Sequence, residues 1–378
     1  MGGKKKSKNE AHNFYSTETI DGVTLWMKRY KPMNGTVSSI PVILCHGLLA
    51  NKHSLDFGDK DEDKTLWDQY SLASFLFDES SNNSVSFDVW VPELRGRRSY
   101  SEYDFAKRGQ VPESKHWGFD DYADKDVPAI IDKIKKVYAT EGKPNTQVFW
   151  VGMSMGGMLA YAHGQTEQGH RDLKGVVTIG SPATFEYSKS FFAKFKGIAP
   201  RNMFLRINLR SFLENNPKFK TIFLENAIET GNTTKDIAEL YLEMGFDNSI
   251  SSKILSHFGL FFRHHNFFWY PKCPWWYDFL DKIPLLRNCV SPPSWKENLD
   301  LFQTPLLAIA GGGDEEAPPK EVKNGISRIG SSEITYQEFS KQSEVEKDFS
   351  HLDFHLSKLA KKEVYPVICD WLINQQDE

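Results

Sequence analysis

Gln147-Val148-Phe149-Trp150-Val151-Gly152-Met153-Ser154-Met155-Gly156-Gly157-Met158-Leu159-Ala160 is the stretch from which the fold is read. Val148 to Val151 are β-branched and aromatic residues that suit a buried strand, and the small, straight-chain residues after Ser154 suit a helix. Between the two runs stands Gly-x-Ser-x-Gly, with Gly152 and Gly156 two places to either side of Ser154. A strand that enters a helix through so short a turn strains the serine backbone and lifts its hydroxyl clear of the sheet. The glycines are needed because a side chain at either position would meet the neighbouring strand or helix. The positive end of the following helix then lies under Ser154. This is the setting of a nucleophilic serine.

A serine hydroxyl attacks well only when a histidine takes its proton and an acid orients that histidine. Where a serine sits on such a turn, the acid and then the histidine follow it in the chain. Thr304 to Ala310 reads as a buried strand that breaks into Gly311-Gly312-Gly313-Asp314-Glu315-Glu316. Asp314 is the candidate acid, because it comes first after the glycines, with Glu315 and Glu316 as rivals. The competing reading makes Asp314 the N-cap of a helix beginning at Pro318. His351, in Ser350-His351-Leu352-Asp353-Phe354-His355, is the candidate base: it lies between a short strand (333–339) and the last amphipathic helix (356–372). His355 is expected to be solvated or to cap that helix. His264 and His265 precede the acid and fall in the wrong order.

Acyl chemistry also needs backbone donors for the developing oxyanion. Pro41-Val42-Ile43-Leu44-Cys45 is a short apolar strand that ends in His46-Gly47-Leu48-Leu49. Gly47 lets the chain come close to the reacting centre, and the N–H groups of Leu48 and Met155 are the expected pair. His46 is read as holding this turn through a ring hydrogen bond.

His46-Gly47-Leu48-Leu49-Ala50, the Gly152–Gly156 turn and His351-Leu352-Asp353-Phe354 together resemble the α/β-hydrolases, closest to the acid-lipase branch. The Arg-Gly run Val91 to Ser99 and the stretch His116 to Asp132 are similar to the segments that follow the fourth strand there. The resemblance implies a mostly parallel central sheet with helices on both faces. It also implies cleavage of carboxylic esters through an acyl-serine on Ser154, helped by Asp314 and His351. Transfer of the acyl group to another acceptor uses the same triad, and a non-catalytic binding protein on this fold is a third reading. The chain departs from that branch in its Met-Ser-Met turn, in an acidic insert from Asp56 to Asp63, and in showing no secretory signal at its start. A cytoplasmic location is therefore expected.

The chain has 378 residues, enough for an α/β core that carries an insertion. Residues 1–12 read as a basic flexible tail, and 13–182 and 301–378 as the two parts of the core. Residues 183–300, where strands and helices stop alternating, read as a mainly helical, aromatic-rich cap entering after the sixth strand. Their aromatics, Phe258, Phe261, Phe262, Phe267, Phe268 and Trp269 among them, are expected to form an apolar wall over Ser154. With 46 basic against 50 acidic residues there is no nucleic-acid footprint. No run of 18 apolar residues is present. Weak peripheral membrane contact through the basic N-terminus or the cap is the expectation, with an ester or lipid as the small-molecule partner. Gly2 opens a partial myristoylation signal whose sixth position is Lys6 rather than serine or threonine. The four cysteines, Cys45, Cys273, Cys289 and Cys369, form no Cys-x-x-Cys pair, and neither metal nor cofactor is expected. Asp56, Asp59, Asp61, Glu62 and Asp63 read as a solvated loop, and Arg95, Arg97 and Arg98 as ion-paired scaffold beneath the oxyanion loop.

Overall fold

Apolar runs that alternate with helical segments build an eight-stranded sheet in the order β1-β2-β4-β3-β5-β6-β9-β10. The antiparallel entry is β1 (Phe14–Glu18) and β2 (Thr24–Tyr30), joined through Asp21-Gly22, with Gly22 at φ 75°. β2 runs antiparallel to β4 (Ser86–Glu93). From there β4, β3 (Ser39–Cys45), β5 (Val148–Met153), β6 (Leu173–Ile179), β9 (Leu306–Gly311) and β10 (Ile334–Phe339) are all parallel. β5 and β9 are buried along their whole length, as central parallel strands covered on both faces must be. Side chains alternate between two cores. Ile43, Trp90, Trp150 and Val176 face the helices Val127–Thr140 and Met155–His163, while Val42, Val89, Val151 and Val177 face Leu72–Asn82 and Tyr365–Asn374.

The computed structural model describes residues 13–32, 39–82, 86–97, 116–189, 205–228, 231–246, 249–280, 283, 291–343 and 345–376. The N-terminal tail with Gly2, Arg98, Cys289 and Phe191, Phe192, Phe195 and Phe204 lie outside these residues. Among the described residues no helix is long and apolar enough to cross a membrane.

Three expected helices are interrupted. The segment read as one helix from Leu66 to Phe77 is two, Lys64–Tyr70 and Leu72–Asn82, because Ser71 turns extended (φ −75°, ψ 128°) and caps Ser74 N–H with its hydroxyl. The segments Tyr122–Tyr138 and Leu356–Leu372 each contain a π turn, at Tyr122–Asp126 and Ala360–Val364, shortly before a proline. Pro128 and Pro366 have no N–H to give the carbonyl four residues back, and their rings crowd it. The ladder widens instead: Val127 N–H donates to Tyr122 C=O and Tyr365 N–H to Ala360 C=O.

Between β6 and β9 lie the helices Leu209–Asn215, Pro217–Ala227, Lys235–Gly245 and Ser252–His264 and a small antiparallel pair, β7 (Arg206–Asn208) with β8 (Ser249–Ser251). The chain leaves β6 through a loop anchored by Glu321, which is fully buried on the helix Pro319–Ile326. Its carboxylate accepts the N–H groups of Thr184, Phe185, Glu186 and Tyr187 and the Thr184 hydroxyl, at 2.6–2.9 Å.

Candidate active site

Parallel strands end on one edge of the sheet, so loops after different strands meet there. Register brings Cys45 beside Gly152, Gly152 beside Thr178 and Ile179 beside Ile309. Ser154 follows β5 at φ 53° and ψ −117°, the left-handed region that costs a non-glycine residue about 1–3 kcal/mol. Its N–H donates to Ile179 C=O at 2.8 Å, which fixes the turn against β6. A Cβ on Gly152 would come within 2.3 Å of the Gly156 carbonyl carbon, and one on Gly156 within 2.3 Å of the Cys45 carbonyl oxygen. The motif is thus a packing requirement of strand against helix.

Asp314 and His351 come together beside it. His351 Nδ1 lies 2.8 Å from Asp314 Oδ2, and Asp314 Oδ1 accepts the N–H groups of Glu316 and Ala317 at 2.8 and 3.0 Å. Asp314 therefore closes its own turn and does not cap the helix Pro319–Ile326, whose N-cap is Pro318. Glu316 also lines the pocket, but the carboxylate hydrogen-bonded to His351 is that of Asp314. The approach is close enough that a Cβ on Gly180 (φ 54°) would stand 2.8 Å from Asp314 Oδ2 and 3.2 Å from His351 Nδ1. With Nδ1–H given to Asp314, His351 Nε2 carries the lone pair. Burial opposes charge on His351, but the charge and hydrogen bond of Asp314, with Glu316 adding, hold its pKa above the ordinary imidazole value.

Ser154 and His351 line one pocket of about 40 Å³, together with Gly47 and Leu48. A Cβ on Gly47 would lie 3.2 Å from Ser154 Cβ, so the loop after β3 passes directly against the serine. Met155 begins the helix, where its N–H has no acceptor within the helix. His46 holds the loop: its Nδ1 lies 3.0 Å from Gly47 C=O and Nε2 accepts from Leu94 N–H at 3.3 Å. Burial, and then the charge of Arg97, push its pKa well down. Behind it, Glu93 is buried and pushed up to about 8, while accepting Lys52 N–H at 3.1 Å. Arg95 is paired with Asp126 and Asp21.

Two expectations are overturned. The acidic segment is solvated only in part: Asp61, Glu62 and Asp63 are exposed, but Asp56 and Asp59 are fully buried. Two equally buried cations, Lys28 from β2 and Lys52, both pair with Asp59, and Asp56 accepts from Tyr30 and Trp67 at 2.7 Å. The counter-charges lie 31 and 7 residues from Asp59 in the chain, which is why the local sequence looks solvent-facing. Nor is His355 solvated. It is 1% exposed and lines the Ser154 pocket.

The expected aromatic wall is also made differently. Phe258, Phe261 and Phe267 pack edge-on to Phe119, and Phe267 and Trp269 pack on Trp295, as a core of their own. The rings that line the pocket are Phe223, Tyr241 and Phe246, from the helices Pro217–Ala227 and Lys235–Gly245 and the residue after the latter. Phe223 and Phe246 touch at 5.6 Å and also bound a second cavity of about 190 Å³, lined by Leu49, Leu209, Leu213, Ile250 and other apolar residues only.

This arrangement agrees with what the chain is similar to. Residues 40–356 match the family described as alpha/beta hydrolase fold. The chain belongs to the α/β-hydrolase fold family. It is 26% identical to the Caenorhabditis elegans protein named Lipase lipl-3 over 213 residues, 53% of this chain and 48% of that one, so it spans about half the length of that relative. Among solved structures it is similar to an esterase from Exiguobacterium antarcticum (TM-score 0.57, 14% identity, 96% of this chain and 99% of that one). It is likewise similar to a bromoperoxidase from Bacillus anthracis (TM-score 0.55, 13% identity, 96% of this chain and 100% of that one). An α/β-hydrolase sheet that carries proteins with names so different fixes a scaffold, and the reaction has to be argued from the site.

Proposed function

We propose that this protein hydrolyses carboxylic esters with an apolar acyl group, through an acyl intermediate on Ser154. His351 Nε2 takes the Ser154 proton as Oγ attacks the ester carbonyl, and Asp314 steadies the imidazolium that forms. The N–H groups of Leu48 and Met155 receive the oxyanion. His351 then returns its proton to the departing alcohol, and water repeats the sequence to release the acid. The observation that carries the choice of ester is the wholly apolar cavity of about 190 Å³, which shares Phe223 and Phe246 with the Ser154 pocket. Such a cavity accepts a hydrocarbon chain and offers nothing to a polar one. The relative named as a lipase supports the same reading. Contact of residues 183–300 with a lipid surface is supported by Trp275, Trp276 and Phe279, each more than half exposed on one short helix.

A serine-directed phosphonate should label Ser154 alone, and Ser154→Ala should lower turnover of p-nitrophenyl esters by roughly 10³–10⁶. Label at another residue, or activity that survives the substitution, would remove the proposal.

A further inference from the structure

The pocket beside Ser154 has a polar face that ester cleavage does not use. Ser54, Tyr241 and His355 reach it from three distant parts of the chain. Tyr241, 1% exposed, shares a hydrogen bond with the Ser54 side chain. His355, on the short helix Asp353–Leu356, lies with its ring 5.0 Å from that of Tyr241. Neither of its ring nitrogens has a hydrogen-bond partner among the described residues, although the side chain is 1% exposed. A leucine would fill this wall without stranding a polar atom, so the imidazole weakens the fold where it stands. A group that costs stability inside a binding pocket is accounted for when a ligand completes its bonds.

We propose that His355 binds a hydroxyl group of the substrate close to the ester, and so makes the enzyme prefer hydroxylated esters to plain alkyl esters. The inference rests on the ester-hydrolase reading above. The chemistry of the ring selects the ligand. Burial, with the nearby His351 charge, pushes the His355 pKa down to about 3, so the ring is neutral under ordinary conditions. A neutral imidazole offers one N–H and one lone pair, and a hydroxyl answers with one lone pair and one O–H. A carboxylate or phosphate would answer only the N–H, and it would face Glu316 across the same pocket. The hydroxyl can belong to the alcohol, as in a glycerol monoester, or to the acyl chain, as in a hydroxy acid.

The test compares kcat/KM for propyl butyrate, glyceryl monobutyrate and propyl 3-hydroxybutyrate in wild type, His355→Leu and His355→Gln, with melting temperatures alongside. Wild type should cleave at least one hydroxylated ester tenfold or more better than propyl butyrate. His355→Leu should bring that ratio close to one without lowering the melting temperature. His355→Gln, which keeps a donor and an acceptor, should restore most of it. Preference for the glyceryl ester places the hydroxyl on the alcohol, and preference for the hydroxybutyrate places it on the acyl chain. A ratio near one in wild type, a ratio untouched by His355→Leu, or an equal loss on all three esters with a lower melting temperature would overturn the inference. If propyl butyrate is still cleaved in a Ser154-dependent way in those cases, the ester-hydrolase reading stands alone; if no ester is cleaved, both fall.

Discussion

His351 shows how a single residue takes its properties from neighbours that are distant in sequence. Asp314 lies 37 positions away, yet its carboxylate decides which ring nitrogen is protonated and raises the pKa that burial alone would lower. The raised value has a direct kinetic meaning, because only neutral imidazole accepts the serine proton. kcat/KM should therefore fall as pH drops through the pKa of His351, with the midpoint above that of an ordinary imidazole, near 6.5. Asp314→Asn removes the charge that raises it, so the same limb should move to lower pH while the plateau falls. A pH–rate profile of the two proteins checks both shifts, and a midpoint that stays in place would detach Asp314 from His351. Of the proposed triad, Ser154 and Asp314 are picked out by short-range signals, a glycine-flanked turn and a strand breaking into glycines, and His351 by its place between the last strand and the last helix. His355 gives no such signal. Whether a histidine four residues after another is solvated or buried depends on what the helix Lys235–Gly245 lays over it.

Strands were more legible than helices at the level of elements. β5, β6 and β9 lie within a residue or two of where their apolar runs place them, because a strand buried on both faces leaves an uninterrupted run. Helix ends depended on single residues that a 3.6-residue period does not register, Ser71, Pro128 and Pro366. Glu321 is the clearest case of an element held by something the sequence conceals. It looks like a surface glutamate in Pro-Lys-Glu-Val-Lys, but its carboxylate collects five donors from the loop after β6. Glu321→Ala strands four backbone N–H groups, two of them in buried bonds and two part-buried, and the unfolding free energy should fall by about 3 kcal/mol or more. Chemical denaturation measures the loss, and hydrogen exchange at 184–187 should quicken ahead of the sheet. A change within about 0.5 kcal/mol would mean that water replaces the carboxylate at no cost.

The whole molecule brings Leu49, from the loop after β3, against Leu209, Leu213 and Ile250, which lie more than 150 residues further on, and so encloses the apolar cavity. Each methylene buried there is worth about 0.8 kcal/mol, so two extra carbons should raise kcat/KM roughly tenfold until the cavity is full. Leu213→Trp fills part of it, and the preferred acyl length should then shorten by several carbons. A p-nitrophenyl ester series from acetate to decanoate measures both. A flat profile, or a break that Leu213→Trp leaves in place, would mean that the acyl group lies elsewhere.

The sequence by itself determined the strands and the strained serine turn, because each leaves a short-range pattern of apolar runs and glycines. The alternation of strand and helix also stops after β6 and resumes at β9. Only the tertiary structure decided which aromatic rings reach Ser154, why Asp59 is buried between two lysines, and where His355 points. Burial and charge pairing are set by residues tens to hundreds of positions apart, and no local period or motif carries that information.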